Sequence, residues 1–318
     1  MANDTVVTEF VLLGFSDASG PQTLPGSLLL LAFLAALLGN GLLVALATWD
    51  PQLHTPMYFF LRNLSFIDLC FISATVPKFA LNALVGRRTI SLPGCVLQVL
   101  AAVCFASAEV AVLTVMAYDR YVAICRPLHY EAVMSPGACG HMAVASYLSG
   151  GISGAMHTSA TFSTGFRTNE IHHFFCDIPQ VLLLADASSA RLGEAGVTAL
   201  TAGTALGCFA YISSSYARIF SALRSLASAQ GRAKALSTCL PHLLVVTLFV
   251  GTGAVAYLKP PSRRRSSLDL ALSVFYTVLP PVLNPVIYSL RNKDLRAALG
   301  RALGAPESSR NARALSGL

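Results

Sequence analysis

Two carboxylates, Asp68 and Glu109, sit within otherwise apolar stretches of the chain. A carboxylate inside a bilayer is expensive and is retained mainly where it has work to do. Asp68 follows Met57 by 11 residues and Glu109 precedes Asp119 by 10. At 1.5 Å per helical residue both stand about 15–17 Å from the same membrane boundary. Asn40 and Asn284 reach comparable depths, so four polar groups share one level and form a hydrated internal cluster. At the boundary itself Asp119 adjoins Arg120. An ion pair there holds the arginine, and its release offers a partner a fixed cation and a fork of donors. A snorkelling boundary arginine is the plainer reading. Pro285, beside Asn284, removes a backbone donor and weakens its helix locally. Asn284 is placed to satisfy the freed groups and Tyr288 to act as a latch; the plainer reading is a kink without a switch.

These residues need elements that cross lipid. The chain of 318 residues is 54% hydrophobic and 12% charged, about half the charge of a soluble domain. So few charges cannot cover a water-facing surface. That excludes a soluble enzyme or a nucleic-acid binder, despite a formal net charge of +7. No Asp, Glu, Lys or Arg occurs between Asp17 and Asp50, Glu131 and Arg167, Glu194 and Arg218, Lys234 and Lys259, or Asp269 and Arg291. Each gap meets the requirement of about 20 residues for a crossing helix. With the two acid-bearing stretches, the predicted spans are 25–48, 57–82, 93–124, 138–162, 195–220, 235–258 and 270–290. Backbone groups in lipid must be satisfied internally, so all seven are read as helices of one all-α bundle. Alternation suited to a barrel is absent.

Seven spans put the termini on opposite sides. Residues 1–24 hold no Lys or Arg, whereas the segment 291–318 holds Arg291, Lys293, Arg296, Arg301, Arg310 and Arg313. The positive-inside rule places the N-terminus outside, although Arg263, Arg264 and Arg265 in an outer loop run against it. The first span reads as an uncleaved signal anchor. Asn3-Asp4-Thr5 is a glycosylation sequon on the outer segment. Leu295, Leu299 and Leu303 recur beside Lys293, Arg296 and Arg301, the pattern of a short amphipathic helix on the inner leaflet. The tail has no cysteine for palmitoylation, and residues 305–318 read as disordered.

Of eight cysteines none forms a C-x-x-C pair, and six lie in or beside spans as small buried groups. Cys95, at the outer end of the third span, and Cys176, in the second outer loop, face an oxidising compartment and are expected to pair. His172, His173, Cys176 and Asp177 also compose a soft-metal set, but an oxidised Cys176 has no thiolate to give.

Five motifs stand in order. They are Leu53–Leu61 (LHTPMYFFL), Met116–Cys125 (MAYDRYVAIC), Ser215-Tyr216, Lys234–Cys239 (KALSTC) and Pro280–Tyr288 (PPVLNPVIY). Together they resemble the rhodopsin-like G protein-coupled receptors, specifically the olfactory (odorant) receptor family, from about Phe10 to Leu299. The resemblance implies a receptor, not an enzyme, in the plasma membrane of sensory-neuron cilia. Its expected partners are a small odorant, a heterotrimeric G protein of the stimulatory olfactory type that raises cyclic AMP, and membrane lipid. The activation residues it implies are Asp119, Arg120, Tyr121, Tyr216, Lys234, Asn284, Pro285 and Tyr288. No cofactor is implied beyond sodium at Asn40, Asp68, Glu109 and Asn284, with a shared proton as the alternative.

The expected ligand region is the outer half of the third, fifth, sixth and seventh spans. It comprises Ala102, Val103, Ala106, Ser107, Thr201, Thr204, Gly253, Tyr257, Val274 and Thr277, apolar with a few hydroxyls. Ala102 stands where amine receptors carry an aspartate, so a neutral ligand is expected. Two departures from the family pattern stand out. Phe166 and Asp186 occupy positions where most members have a second pair of loop cysteines, which predicts a looser loop. Val250 replaces a usual tyrosine. The competing readings are a receptor for a non-odorant small molecule, a silent receptor, and a transporter or channel. Against the last stand seven spans without an inverted repeat. No nucleophile, base or metal constellation for an intramembrane enzyme is visible.

Overall fold

Prolines mark where several helices begin. Pro56, Pro77, Pro93 and Pro136 all fall in a first turn, where a missing N–H costs nothing. Ser91 and Ser135 add side-chain caps, accepting from Gly94 N and Ala138 N. The computed structural model describes residues 7–15, 22–163, 165–185, 188–225, 229–258 and 267–303, with some side chains near helix ends excepted. Asn3, Asp186, the Arg263–Arg265 triplet and residues 304–318 lie outside the described residues, as do the side chains of Lys234 and Tyr257.

In chain order the elements are β1 (Glu9–Leu12), α1 (Thr23–Trp49), α2 (Pro56–Thr75), α3 (Pro77–Leu84), β2 (Thr89–Ser91), α4 (Leu92–Cys125), α5 (Tyr130–Val133), α6 (Pro136–Thr161), β3 (Glu170–Ile171), α7 (Ile178–Leu184), α8 (Ser188–Ser225), α9 (Ala229–Leu258), α10 (Ser267–Arg291) and α11 (Lys293–Ala302). Among the described residues the seven spans are α1, α2 with α3, α4, α6, α8, α9 and α10. The second span is not continuous as the sequence predicts. Pro77 cannot donate to the preceding turn, and the helix divides at Val76.

Among the described residues five spans are long and apolar enough to cross a membrane on length and composition. The sixth shows a shorter apolar run, Cys239–Gly253, in its described part. The fourth, α6, has its hydropathy diluted by glycine and serine, and packing accounts for this. A Cβ on Gly150 would stand 2.3 Å from Cys104 O, and one on Gly154 2.8 Å from Leu100 O. These small residues let α6 lie directly against the backbone of α4. Helix α4 is the central element, touching α2, α6, α8 and α9, while α1 packs on α2, α3 and α10.

A three-stranded sheet in the order β2-β1-β3 caps one end of the bundle. Strand β1 is antiparallel to β2 (Phe10 opposite Ile90) and parallel to β3 (Leu12 opposite Ile171). Phe10, Leu12 and Ile171 are buried beneath it with the Cys95–Cys176 disulfide. This is the disulfide end. At the other end α11 is fixed by Arg301, whose guanidinium bonds Asp50, and by Tyr58, whose hydroxyl reaches Asn292 at 3.0 Å. Leu295 and Ala298 are its buried face. Burial pushes the Asp50 carboxyl up, but the bonds from Arg301 and Gln52 N outweigh it and hold the group below its ordinary range.

The two glycines that follow each other in α6 offer a direct test. Gly150→Ala should lower the thermal midpoint of the purified protein, with a cost of about 1–3 kcal/mol from overpacking. Gly151→Ala, which meets no atom within 4 Å, should leave the midpoint unchanged or raise it through helix propensity. Equal effects of the two would contradict the packing described.

Candidate functional site

The acidic cluster is assembled by the proline break in α10. Pro285 has no N–H, so the carbonyl of Pro281, four residues earlier, loses its helical donor. Asn40 of α1 supplies one: its Nδ2 donates to Pro281 O at 2.8 Å and to Ala36 O at 3.0 Å. The neighbouring Gly39 makes room for the ring, since a Cβ there would approach Pro285 Cβ to 3.0 Å. Asn284 donates to Asp68 Oδ2 at 2.9 Å. Asn40, Asp68, Glu109 and Asn284 are all buried, as the matched depths require. Among the described residues Asn40 Oδ1, Asp68 Oδ1, both Glu109 oxygens and Asn284 Oδ1 have no protein donor, and the buried Tyr288 hydroxyl has no partner. Five buried acceptors without a protein donor in one region call for a donor or a counter-charge.

At the α11 end of α4 Asp119 is buried and doubly engaged. Its Oδ2 accepts from Arg120 Nε at 2.8 Å and its Oδ1 from the Tyr130 hydroxyl at 2.7 Å. Burial first, and then the Asp119 charge, push the Tyr130 phenol above its ordinary range, so it remains a neutral donor. The arginine is thus held by a carboxylate that α5 also grips. Leu128, between α4 and α5, is 95% exposed, a large apolar side chain presented on a loop. Arg218 of α8 lies over the Tyr121 ring at 5.9 Å. Tyr216 is buried and shares a 2.6 Å hydrogen bond with His242 Nδ1 of α9, tying the fifth and sixth spans together.

At the disulfide end Gln98 of α4 accepts from Cys176 N at 2.8 Å and donates to Ala74 O at 2.8 Å. It joins the cap to α2 just before the Pro77 break. Cys176 is bonded to Cys95, so the soft-metal set of the sequence loses its thiolate. Phe166 makes an antiparallel bridge with Ala185 and packs against Phe10, with ring centroids 5.1 Å apart, and Phe162. Aromatic packing therefore occupies the position where most family members carry the first of the two further loop cysteines.

The ligand candidates separate. Ala102, Val103, Ala106 and Ser107 run partly exposed along α4, and Val103 touches the cap. Thr201 faces α6, where its hydroxyl meets His157 Nε2 at 3.1 Å. Thr204 is exposed and bonds Leu200 O of its own helix. Gly253 has open space around it. Val274 packs into the cluster of Leu29, Phe79 and Phe174, and Thr277 is buried on Ser273 O. A cavity of about 240 Å³ opens elsewhere, at the disulfide end, between Leu12, Gln22, Phe79, Asn82, Arg87 and Arg88. None of the ligand candidates lines it.

The profile of the family described as "Olfactory receptor" matches residues 29–305. The chain belongs to the olfactory receptor family. It is 49% identical to human olfactory receptor 14J1 over 310 residues, 96% of each chain. It is 51% identical to human olfactory receptor 14I1 over 95% of this chain and 97% of that one. The crystal structure of squid rhodopsin superposes with a TM-score of 0.69 at 16% identity, covering 92% of both chains. This olfactory receptor is therefore a multi-pass membrane protein with the rhodopsin fold, and a receptor rather than an enzyme.

Sequence reasoning passed over His242, Tyr130, Leu128 and Gln98. Histidine escapes a search for charge-free gaps because it is not counted as a charge. His242 was nonetheless visible as the lone imidazole between Lys234 and Lys259. For this olfactory receptor, Asn40→Leu should strand the Pro281 carbonyl in the bundle. The expected cost is about 1–3 kcal/mol, seen as a lower thermal midpoint, and a midpoint equal to wild type would refute the carbonyl-filling role.

Proposed function

We propose that this protein is an odorant receptor that binds a small neutral apolar molecule in the half of the bundle nearer the disulfide. In response it activates a heterotrimeric G protein of the stimulatory olfactory type and raises cyclic AMP. The N-terminus, with its sequon at Asn3, lies outside the cell, and α11 rests on the inner leaflet of the plasma membrane of sensory cilia. The observation that carries this reading is the grip on Arg120. Among the described residues the cation at the α11 end is held by Asp119, and Asp119 is shared with Tyr130. Turning the Arg120 side chain off Asp119 presents the guanidinium to a cytoplasmic partner, and exposed Leu128 supplies an apolar anchor on the adjoining loop. Membership of the olfactory receptor family supports the ligand class, and the absence of an acid at Ala102 supports neutrality.

The stranded acceptors on Asp68, Glu109, Asn40 and Asn284 fit sodium. When bound, the ion would supply one positive charge, offsetting one of the two carboxylates and leaving the other to carry a proton. Asn40, Asp68, Glu109 and Asn284 would hold it, which would favour the resting packing of α10 on α2.

The test is a cyclic AMP assay in cells carrying the receptor and its G protein, with a panel of volatile odorants and readings scaled to surface receptor. Wild type should respond to at least one odorant, Arg120→Ala should abolish the response, and Leu128→Asp should reduce it about tenfold, the effect of losing about 1.4 kcal/mol of docking energy. No response to any odorant from correctly inserted wild type, or a full response from Arg120→Ala, would reject the reading. Sodium dependence is read separately: Glu109→Gln and Asp68→Asn should raise agonist-free cyclic AMP and make it insensitive to sodium. Activity that follows sodium as in wild type would remove the ion from the account.

A further inference from the structure

Helix α8 is held unlike its neighbours. In the most apolar stretch of the span Leu192–Arg224 only 6% of the residues are buried, against 39% in α4 and 44% in the seventh span. A helix so little covered needs specific attachments, and two are present. One is the Tyr216–His242 bond toward the α11 end. The other lies toward the disulfide end and plays no part in the activation argument above. Glu194 of α8 makes a close contact with His157 Nδ1 of α6. The same carboxylate accepts from Thr161 at 3.4 Å and Thr198 at 3.3 Å, and the other imidazole nitrogen meets Thr201 at 3.1 Å. His157, Thr161 and Glu194 are all buried, with relative exposures of 6%, 0% and 2%.

Ionisable pairs inside a bilayer are costly and retained for a reason. Here every polar atom of the pair has a partner, so the arrangement is directional and not merely close. The two helices it joins are unequally fixed. Gly150 and Gly154 seat α6 against the backbone of α4, whereas α8 has little covering it. Helix α8 touches α4 directly as well, and the polar pair adds a directional attachment to the firmly seated α6.

We propose that His157 and Glu194 are positioning residues. They clasp the outer half of α8 to α6 and set where Thr201 and the helix turn bearing Thr204 stand. If that wall is the ligand wall, which rests on the function proposed above, the clasp sets the width of the ligand region.

Two half-buried native thiols report on it without ligand or G protein. Cys208 lies on α8, seven residues beyond Thr201, and Cys104 lies on α4 against Gly150 and Gly154. The full-length receptor in lipid nanodiscs is treated with membrane-permeant N-ethylmaleimide well below its thermal midpoint, and alkylation at each cysteine is followed by peptide mass spectrometry. His157→Leu and the milder Glu194→Gln should each speed modification of Cys208 about tenfold, the population change given by about 1.4 kcal/mol, while Cys104 keeps its rate. The exchanged pair, His157→Glu with Glu194→His, should return Cys208 to within about twofold of wild type, a small residual on the same scale. Unchanged Cys208 rates in both single variants overturn the proposal. So does a parallel rise at Cys104, which marks general loosening, and so does an exchanged pair that fails to restore Cys208. None of these outcomes bears on the cyclic AMP test, so the two ideas fail separately.

Discussion

A polar group buried in lipid has no water to fall back on, and the organisation of this protein follows from that constraint. Pro285 creates the sharpest instance by leaving the Pro281 carbonyl without a donor inside the seventh span. The remedy lies on another helix, where Asn40 donates to it. A helix whose backbone is completed by a neighbour cannot shift without breaking that completion. The first and seventh spans are coupled in this way, and Asn284, next to the same proline, couples the seventh to Asp68 on the second. Three spans are thus joined by two amides around the carboxylates of Asp68 and Glu109.

The lock is incomplete by construction. Asn284 satisfies one oxygen of Asp68 and neither oxygen of Glu109, so the cluster retains unmet acceptors. At the α11 end the arrangement has the opposite sign: a cation, Arg120, whose carboxylate partner among the described residues is shared with Tyr130. Helix α4 carries both Glu109 and Asp119 and is the element most others touch. Anything that changes how α4 meets its neighbours acts on both unbalanced sites together. That shared element gives a physical route from one end of the bundle to the other without requiring a dedicated pathway.

Much of this was legible in the sequence because lipid imposes simple rules. Charge-free gaps located the spans, and the depth arithmetic placed Asp68 and Glu109 with Asn40 and Asn284. The failures are equally physical. Charge gaps measure the lipid-crossing part of a helix, not its ends, so Glu194 read as the edge of a span when it is a buried member of one. Pro77 read as an internal residue because a 26-residue apolar run overshadowed it, yet its missing N–H divides the span. The sequence showed that a cysteine is missing at Phe166 but not what the ring there does, which is to pack against Phe10 and Phe162. Side-chain direction was the least legible feature: periodicity alone left open that Thr201 turns toward His157.

The polar contacts of the fifth span, α8, explain why its hydroxyls divided so unevenly. A threonine in lipid must place its hydroxyl somewhere, and the nearest acceptor is usually the carbonyl one turn back. Thr204 takes that option and carries no information about a neighbour. Thr201 has the same option and uses it, but it also lies one helical turn from Thr198 and two from Glu194, on the stripe that faces α6. Position on that stripe, rather than residue type, decides whether a hydroxyl becomes part of an interhelical network. The same reasoning applies to His242, which lies on the stripe of α9 facing Tyr216. In an apolar bundle, the direction in which a polar side chain points selects which helices are joined, and the apolar residues fill the distance between them.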